Sequence, residues 1–126
     1  MLFRSADVIT HALADAILGA AGLPDIGFYF PPSNPQWRDL NSQEILKRAR
    51  AEVFEAGYTI LNVDTVLIAE KPKILPYLSR MRKTLSESLG ISESRIGIKA
   101  TTNEGLGWIG KGEGMAAQAT CLLGLL

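Results

Sequence analysis

Three side chains that can hold protons or metal ions recur four residues apart near the start of the sequence: Asp7, His11 and Asp15. On a helix this spacing puts all three on one face. An imidazole flanked by carboxylates suits a zinc-type ion. A zinc site takes three or four ligands, however, and His11 is the only histidine in the chain. Its partners would have to come from elsewhere, or the group is a hydrogen-bonded imidazole and nothing more.

A second cluster lies near the C-terminus. Gly105, Gly107 and Gly110 form a G-x-G-x-x-G pattern. A dinucleotide fingerprint should open a helix and be followed by an acidic residue about 20 positions later. The chain ends first and no helical pattern follows, so that reading is rejected. No Lys-Ser or Lys-Thr pair follows the glycine spacing of a Walker motif either. What remains is a flexible loop whose amides, together with Lys111, could approach a phosphate. Just before it runs Lys99-Ala-Thr-Thr-Asn-Glu104. Its two threonine hydroxyls can donate to phosphate oxygens, and its carboxylate can hold a hard divalent cation. The segment from Ala69 to Leu75 sets two lysines around a proline. It reads as a solvated turn, or as a frame for a flat ligand with one lysine meeting a phosphate.

Elements able to position these groups alternate between helix and strand. Residues 7–21 read as a helix, with Val8, Ala12, Ala16 and Ala20 spaced by four and Leu13 and Ile17 beside them. Residues 25–40 hold three prolines and few aliphatics and read as a long irregular loop. Asn41 followed by Glu44 resembles a capping box opening a second helix, with Ile45, Leu46, Ala49 and Val53 as its apolar stripe. Residues 58–70 are rich in β-branched side chains and read as a strand. Pro76 suits the first turn of a third helix, which buries Leu78, Met81, Leu85 and Leu89 and ends at Gly90. Residues 95–102 form a further strand, with Ile96, Ile98 and Ala100 on one face. Residues 103–114 contain five glycines and read as a loop. The apolar run from 115 to 126 is a closing strand or a buried helix. The class is α+β, with helices on one face of a mixed sheet.

The 126 residues suit one domain, and a domain of this size gains from association with other subunits. Thirteen basic and thirteen acidic residues give no electrostatic case for nucleic acid or an anionic membrane as partner. The lone Cys121 cannot form an internal disulfide and reads as a buried thiol. No apolar run approaches the ~20 residues of a membrane span, and the first residues do not read as a secretory leader. A cytoplasmic location is the expectation.

The order of the motifs is more specific than any one of them. Asp7-Val-Ile-Thr-His11-Ala-Leu-Ala-Asp15, Asp25-Ile-Gly27 with Phe30-Pro31, Gly57-Tyr58 with Asn62-Val-Asp64, Lys73-Ile-Leu-Pro76, and Lys99-Ala-Thr-Thr-Asn-Glu104-Gly-Leu-Gly with Gly112-Glu-Gly114 occur in register. From Asp7 onward the sequence resembles the 2-C-methyl-D-erythritol 2,4-cyclodiphosphate synthase family. The resemblance implies a homotrimer with active sites between neighbouring subunits. It implies conversion of 4-diphosphocytidyl-2-C-methyl-D-erythritol 2-phosphate to the cyclic diphosphate and CMP in the non-mevalonate isoprenoid pathway.

Carried over motif by motif, the resemblance makes His11 a zinc ligand. Asp25, Ile26 and Gly27, with the loop Phe30, Pro31, Pro32, Ser33 and Asn34, would line the methylerythritol and phosphate side. Ala69, Glu70, Lys71, Pro72, Lys73, Ile74 and Leu75 would hold the cytidine, with Lys73 near its phosphates. Thr101, Thr102, Asn103 and Glu104 would contact the diphosphate. Thr102 and Lys73 are the implied catalytic residues, and Glu104 would hold a second cation, magnesium or manganese. Trp108 and Lys111 stand where the family commonly has Phe and Arg, and a lysine keeps the charge but loses the planar fork.

The resemblance also implies a departure. The family carries an Asp-x-His strand and a His-Ser-Asp-Gly-Asp segment, of which only Asp7 is matched here, after Phe3, Arg4, Ser5 and Ala6. The expectation is one domain over residues 1–126 without the family's N-terminal strands. It would have one zinc ligand in place of three, weak activity and a sheet edge able to pair with another chain. The alternative is a non-catalytic module that keeps the cytidine pocket and the trimer surface.

Overall fold

The computed structural model describes residues 2–37, 40–71 and 73–126. Its elements in order are α1 (Leu2–Ala20), α2 (Ile26–Tyr29), α3 (Ser42–Glu55), β1 (Tyr58–Ile68), α4 (Leu78–Leu89), β2 (Ile96–Thr101), α5 (Gly107–Gly110) and β3 (Ala116–Leu125). One sheet has the order β2-β1-β3, with β1 parallel to β2 and antiparallel to β3. The closing apolar run is therefore a strand. A fold of mixed α+β class follows, with a mixed three-stranded sheet, as the sequence suggests.

Helix α1 begins at Leu2, five residues before the expected start at Asp7. Its buried stripe is also different: Ser5, Ile9, Leu13 and Ile17 are buried, with Thr10, Ala14 and Leu18 beside them. Val8, Ala12 and Ala16 are only half-buried and Ala20 is exposed. The reason is that α1 packs on both α3 and β3. Two neighbours bury a stripe wider than one run of i, i+4 positions.

Asn41 caps α3 by accepting the Gln43 N–H at 2.8 Å. Glu44 pairs instead with Lys47 at 3.3 Å, so only half of the expected capping box forms. Helix α4 follows a short 3-10 turn through Pro76 and is capped by Gly90. It buries Met81, Leu85 and Leu89 as expected but leaves Leu78 half-buried, and it also buries Ser88, whose hydroxyl donates to Gln43 at 2.6 Å. On β2, Ile96 and Ile98 are buried but Ala100 is exposed.

The core lies between α1, α3, α4 and one face of the sheet. Along β1, Ile60, Val63, Thr65 and Leu67 are buried. The step of three from Ile60 to Val63 breaks the period of two, and a register shift between Ile60 and Asn62 accounts for it. The opposite face leaves Leu61 38% and Leu122 58% exposed and carries an ion pair between Lys99 and Asp64 at 2.5 Å. No helix among the described residues is long and apolar enough to cross a membrane.

Candidate active site

The candidate residues gather in two places. The first is a cavity of about 330 Å³ lined by His11, Ile26, Phe30, Pro32, Trp37 and Ile45. His11 reaches it from the exposed side of α1. The segment from Asp25 onward is expected to be irregular throughout. It contains the single turn α2 and a 3-10 turn at Pro35–Trp37. Asp25 starts the first by accepting the Phe28 N–H at 3.1 Å, and Asn34 starts the second by accepting the Gln36 N–H at 3.0 Å. Short polar side chains at turn starts offer the backbone this local partner.

Two anchors hold the segment. Asp15 accepts the Ile26 N–H at 2.9 Å, tying it to α1. Arg48 of α3 lies over the rings of Tyr29 and Phe30, 5.1 and 5.8 Å from their centres. Glu52 orients that guanidinium at 2.8 Å, and Phe30 meets Trp37 edge-on at 5.2 Å. Neither Asp15 as a loop anchor nor Trp37 as a wall of the cavity is evident from sequence. Asp15 is visible there only as a neighbour of His11.

The second place is a cavity of about 400 Å³ between the end of β1 and the glycine loop, lined by Glu70, Lys71, Gly110, Lys111, Gly112, Glu113, Gly114 and Met115. Lys71, Lys73 and Lys111 are exposed and pair with no carboxylate among the described residues. Ile74 is 1% exposed and anchors this strap in the core, while Leu75 stands out in solvent. Pro72 lies outside the described residues. Ala69 is buried and donates its N–H to the Thr101 carbonyl at 3.0 Å, carrying the β1–β2 ladder one step further.

That ladder brings the strap beside the loop Thr101 to Glu104. Thr102 Oγ1 accepts the Glu104 N–H at 3.2 Å, and Asn103 donates its side-chain amide to the Leu106 carbonyl at 2.7 Å. Thr101 and Thr102 are both exposed. Glu104 has φ 54°, in the left-handed region where a residue with a side chain is strained. The glycine loop is not irregular throughout, since α5 occupies Gly107–Gly110. Gly110 packs directly on the backbone of Gly105, where a Cβ would collide with it. Trp108 is 55% exposed, with the edge of its ring against Gly114.

Neither cavity is lined by residues of the other. Among the described residues there is no group of three or more His, Cys, Asp or Glu that could hold a metal ion. Asp15, one of the carboxylates flanking His11, is already committed to Ile26. Cys121 is a free thiol on β3, and burial pushes it up to about 11.

The arrangement can bring cations, hydroxyls and one strained carboxylate to a phosphate-rich ligand. The YgbB family profile matches residues 4–124. The chain is 46% identical over 123 residues to the 2-C-methyl-D-erythritol 2,4-cyclodiphosphate synthase of Marinobacter nauticus, covering 98% of itself and 77% of that protein. Among solved structures, it superposes on IspF of Plasmodium falciparum in complex with CDP with a TM-score of 0.82 and 38% identity, covering 94% of itself and 70% of that chain. On the bifunctional IspDF of Campylobacter jejuni the TM-score is 0.91 at 41% identity, with 94% of this chain covered but only 32% of that longer one.

Proposed function

The chain belongs to the YgbB family, and on that premise we propose how its residues carry out the reaction of a 2-C-methyl-D-erythritol 2,4-cyclodiphosphate synthase. It is an enzyme of isoprenoid biosynthesis, and its ligand is a small cytidine nucleotide of the kind a solved relative carries as CDP. The substrate is 4-diphosphocytidyl-2-C-methyl-D-erythritol 2-phosphate. An oxygen of its 2-phosphate attacks the β-phosphorus, the bond from that phosphorus to the bridging oxygen breaks, and CMP leaves. No water is consumed. Such a transfer asks little covalent chemistry of the protein and much positioning and charge neutralisation.

The residues supply these as follows. Thr102 Oγ1 accepts the Glu104 N–H, so its own proton is left to donate to a phosphate oxygen. Lys73, Lys71 and Lys111, with no carboxylate partner among the described residues, offer their ammonium groups to the diphosphate. The strap Ala69 to Leu75 frames the cytidine, and the loop Asp25 to Asn34 covers the methylerythritol. The observation that carries this reading is the juxtaposition of the lysine-bearing strap with the hydroxyl-bearing loop across the β1–β2 ladder. His11 and Glu104 remain the candidate ligands of a zinc ion and of magnesium or manganese. The described residues contribute one imidazole and no set of three donors, so they do not by themselves fit a closed zinc site, and no step is routed through a metal.

The separation into two cavities supports a site shared between subunits of a homotrimer. The uncovered face of the sheet, with Leu61 and Leu122 exposed, offers an apolar surface for such an assembly. A cytoplasmic location belongs to the same reading. Mixing subunits tests it. His11→Ala and Thr102→Ala proteins, each inactive alone, should recover activity in roughly a quarter of sites when co-assembled at random. No recovery would mean that the site lies within one chain.

A further inference from the structure

We propose that Glu70 is a positioning residue for the phosphoryl-transfer loop, and that it works as a hydrogen-bond acceptor rather than as a charge. This rests on the functional reading above. A single carboxylate oxygen, Glu70 Oε1, accepts two backbone N–H groups of the loop: Asn103 at 3.0 Å and Gly105 at 3.2 Å. The N–H between them, that of Glu104, goes to Thr102 Oγ1 at 3.2 Å. Three successive amides are thus satisfied in alternation, two by the strap after β1 and one by the candidate catalytic hydroxyl.

This arrangement has two consequences. Alternating amides that converge on one point make a nest able to hold an anion. Here a side chain of the protein fills that nest, so the diphosphate is gripped by hydroxyls and lysines and not by these amides. The bonds also fix the turn in which Glu104 takes its left-handed conformation. In that turn the Glu104 N–H meets Thr102 Oγ1. Glu70 therefore orients Thr102 through the loop backbone, in addition to belonging to the strap that frames the cytidine, and it links that strap to the loop that acts on the phosphates.

Because both bonds end on one oxygen, a glutamine carbonyl, with two lone pairs, can accept both of them, though more weakly than a carboxylate. A metal-holding or purely electrostatic role would instead need the carboxylate. The test compares Glu70→Ala and Glu70→Gln by amide hydrogen exchange of the unliganded protein and by steady-state kinetics. Glu70→Ala should speed exchange at Asn103 and Gly105 by about tenfold or more and lower kcat by a similar factor, with a smaller change in KM. Glu70→Gln should restore most of both. The proposal is overturned if exchange at the two amides is unchanged in Glu70→Ala, or if Glu70→Gln is as defective as Glu70→Ala. It is also overturned if Glu70→Ala lowers KM at unchanged kcat, which would make Glu70 a stand-in that substrate phosphate displaces. Turnover by the unaltered protein reports on the functional reading, whereas exchange in the unliganded variants reports on Glu70 alone.

Discussion

Asp15 Oδ1 accepts the backbone N–H of Ile26 at 2.9 Å, across eleven residues of sequence. The bond joins the helix that carries His11 to the loop that forms the other wall of the same cavity. An exposed bond of this kind contributes about 1 kcal/mol. Asp15→Ala should therefore lower kcat/KM by up to about fivefold while moving Tm by only a few degrees. Asp15→Asn keeps an acceptor oxygen and should recover most of the activity. Paired kinetics and melting curves decide it: equal losses in both variants would show that the bond is not what positions the loop.

Glu104 holds a left-handed backbone, at φ 54°, that favours glycine. Its exposed side chain makes no ion pair among the described residues. Replacing it should relieve strain and remove the proposed cation-holding carboxylate at once. Glu104→Gly is expected to gain up to about 1 kcal/mol of stability and to lose at least about tenfold in activity. Thermal unfolding measured beside activity checks the pair of signs. A lower Tm would mean that the conformation is not strained.

Gly110 packs on the backbone of Gly105, leaving no room for a Cβ. Gly110→Ala should force the loop apart, at a cost of about 2 kcal/mol or by local rearrangement. Activity should fall with it, because Lys111 and the loop after β2 share this fold. A crystal structure of the variant with the Gly105 backbone unmoved would refute the packing argument.

Cys121 is held up to about 11 by burial. At pH 8 its thiolate is scarce, so thiol reagents should modify the native protein far more slowly than the unfolded one. The folded state holds this proton more tightly than the unfolded state does. The associated stability is therefore complete below the unfolded thiol value near 9 and is lost as pH rises from there through about 11. Denaturant unfolding at alkaline pH, compared with a Cys121→Ser protein, isolates this contribution: it should be larger in the native sequence. Equally fast modification in the folded and unfolded states would contradict it.

Much of the fold can be read from the chain, because β-branched runs, capping residues and glycine stops act locally. Residues 58–68 are an example, rich enough in β-branched side chains to read as a strand, whereas the run 116–125 fits a strand or a buried helix equally and is decided only by its pairing with β1. What escapes is set by neighbours. The stripe of α1 is misread because α1 packs on two elements, and no period in its sequence records β3. The shift between Ile60 and Asn62 leaves no local trace either. At the site, the lysines, threonines and His11 are legible by type and motif. The bonds from Asp15 to Ile26 and from Glu70 to Asn103 and Gly105 are not, since they span 11, 33 and 35 residues with no pattern linking their ends.

The most direct test is to follow 4-diphosphocytidyl-2-C-methyl-D-erythritol 2-phosphate by phosphorus NMR in the presence of the purified protein, with divalent cation supplied. Equal amounts of CMP and the cyclic diphosphate are expected, with turnover lost in Thr102→Ala and Lys73→Ala. Binding of the cytidine nucleotide with no CMP released would contradict this and leave a binding module in place of an enzyme.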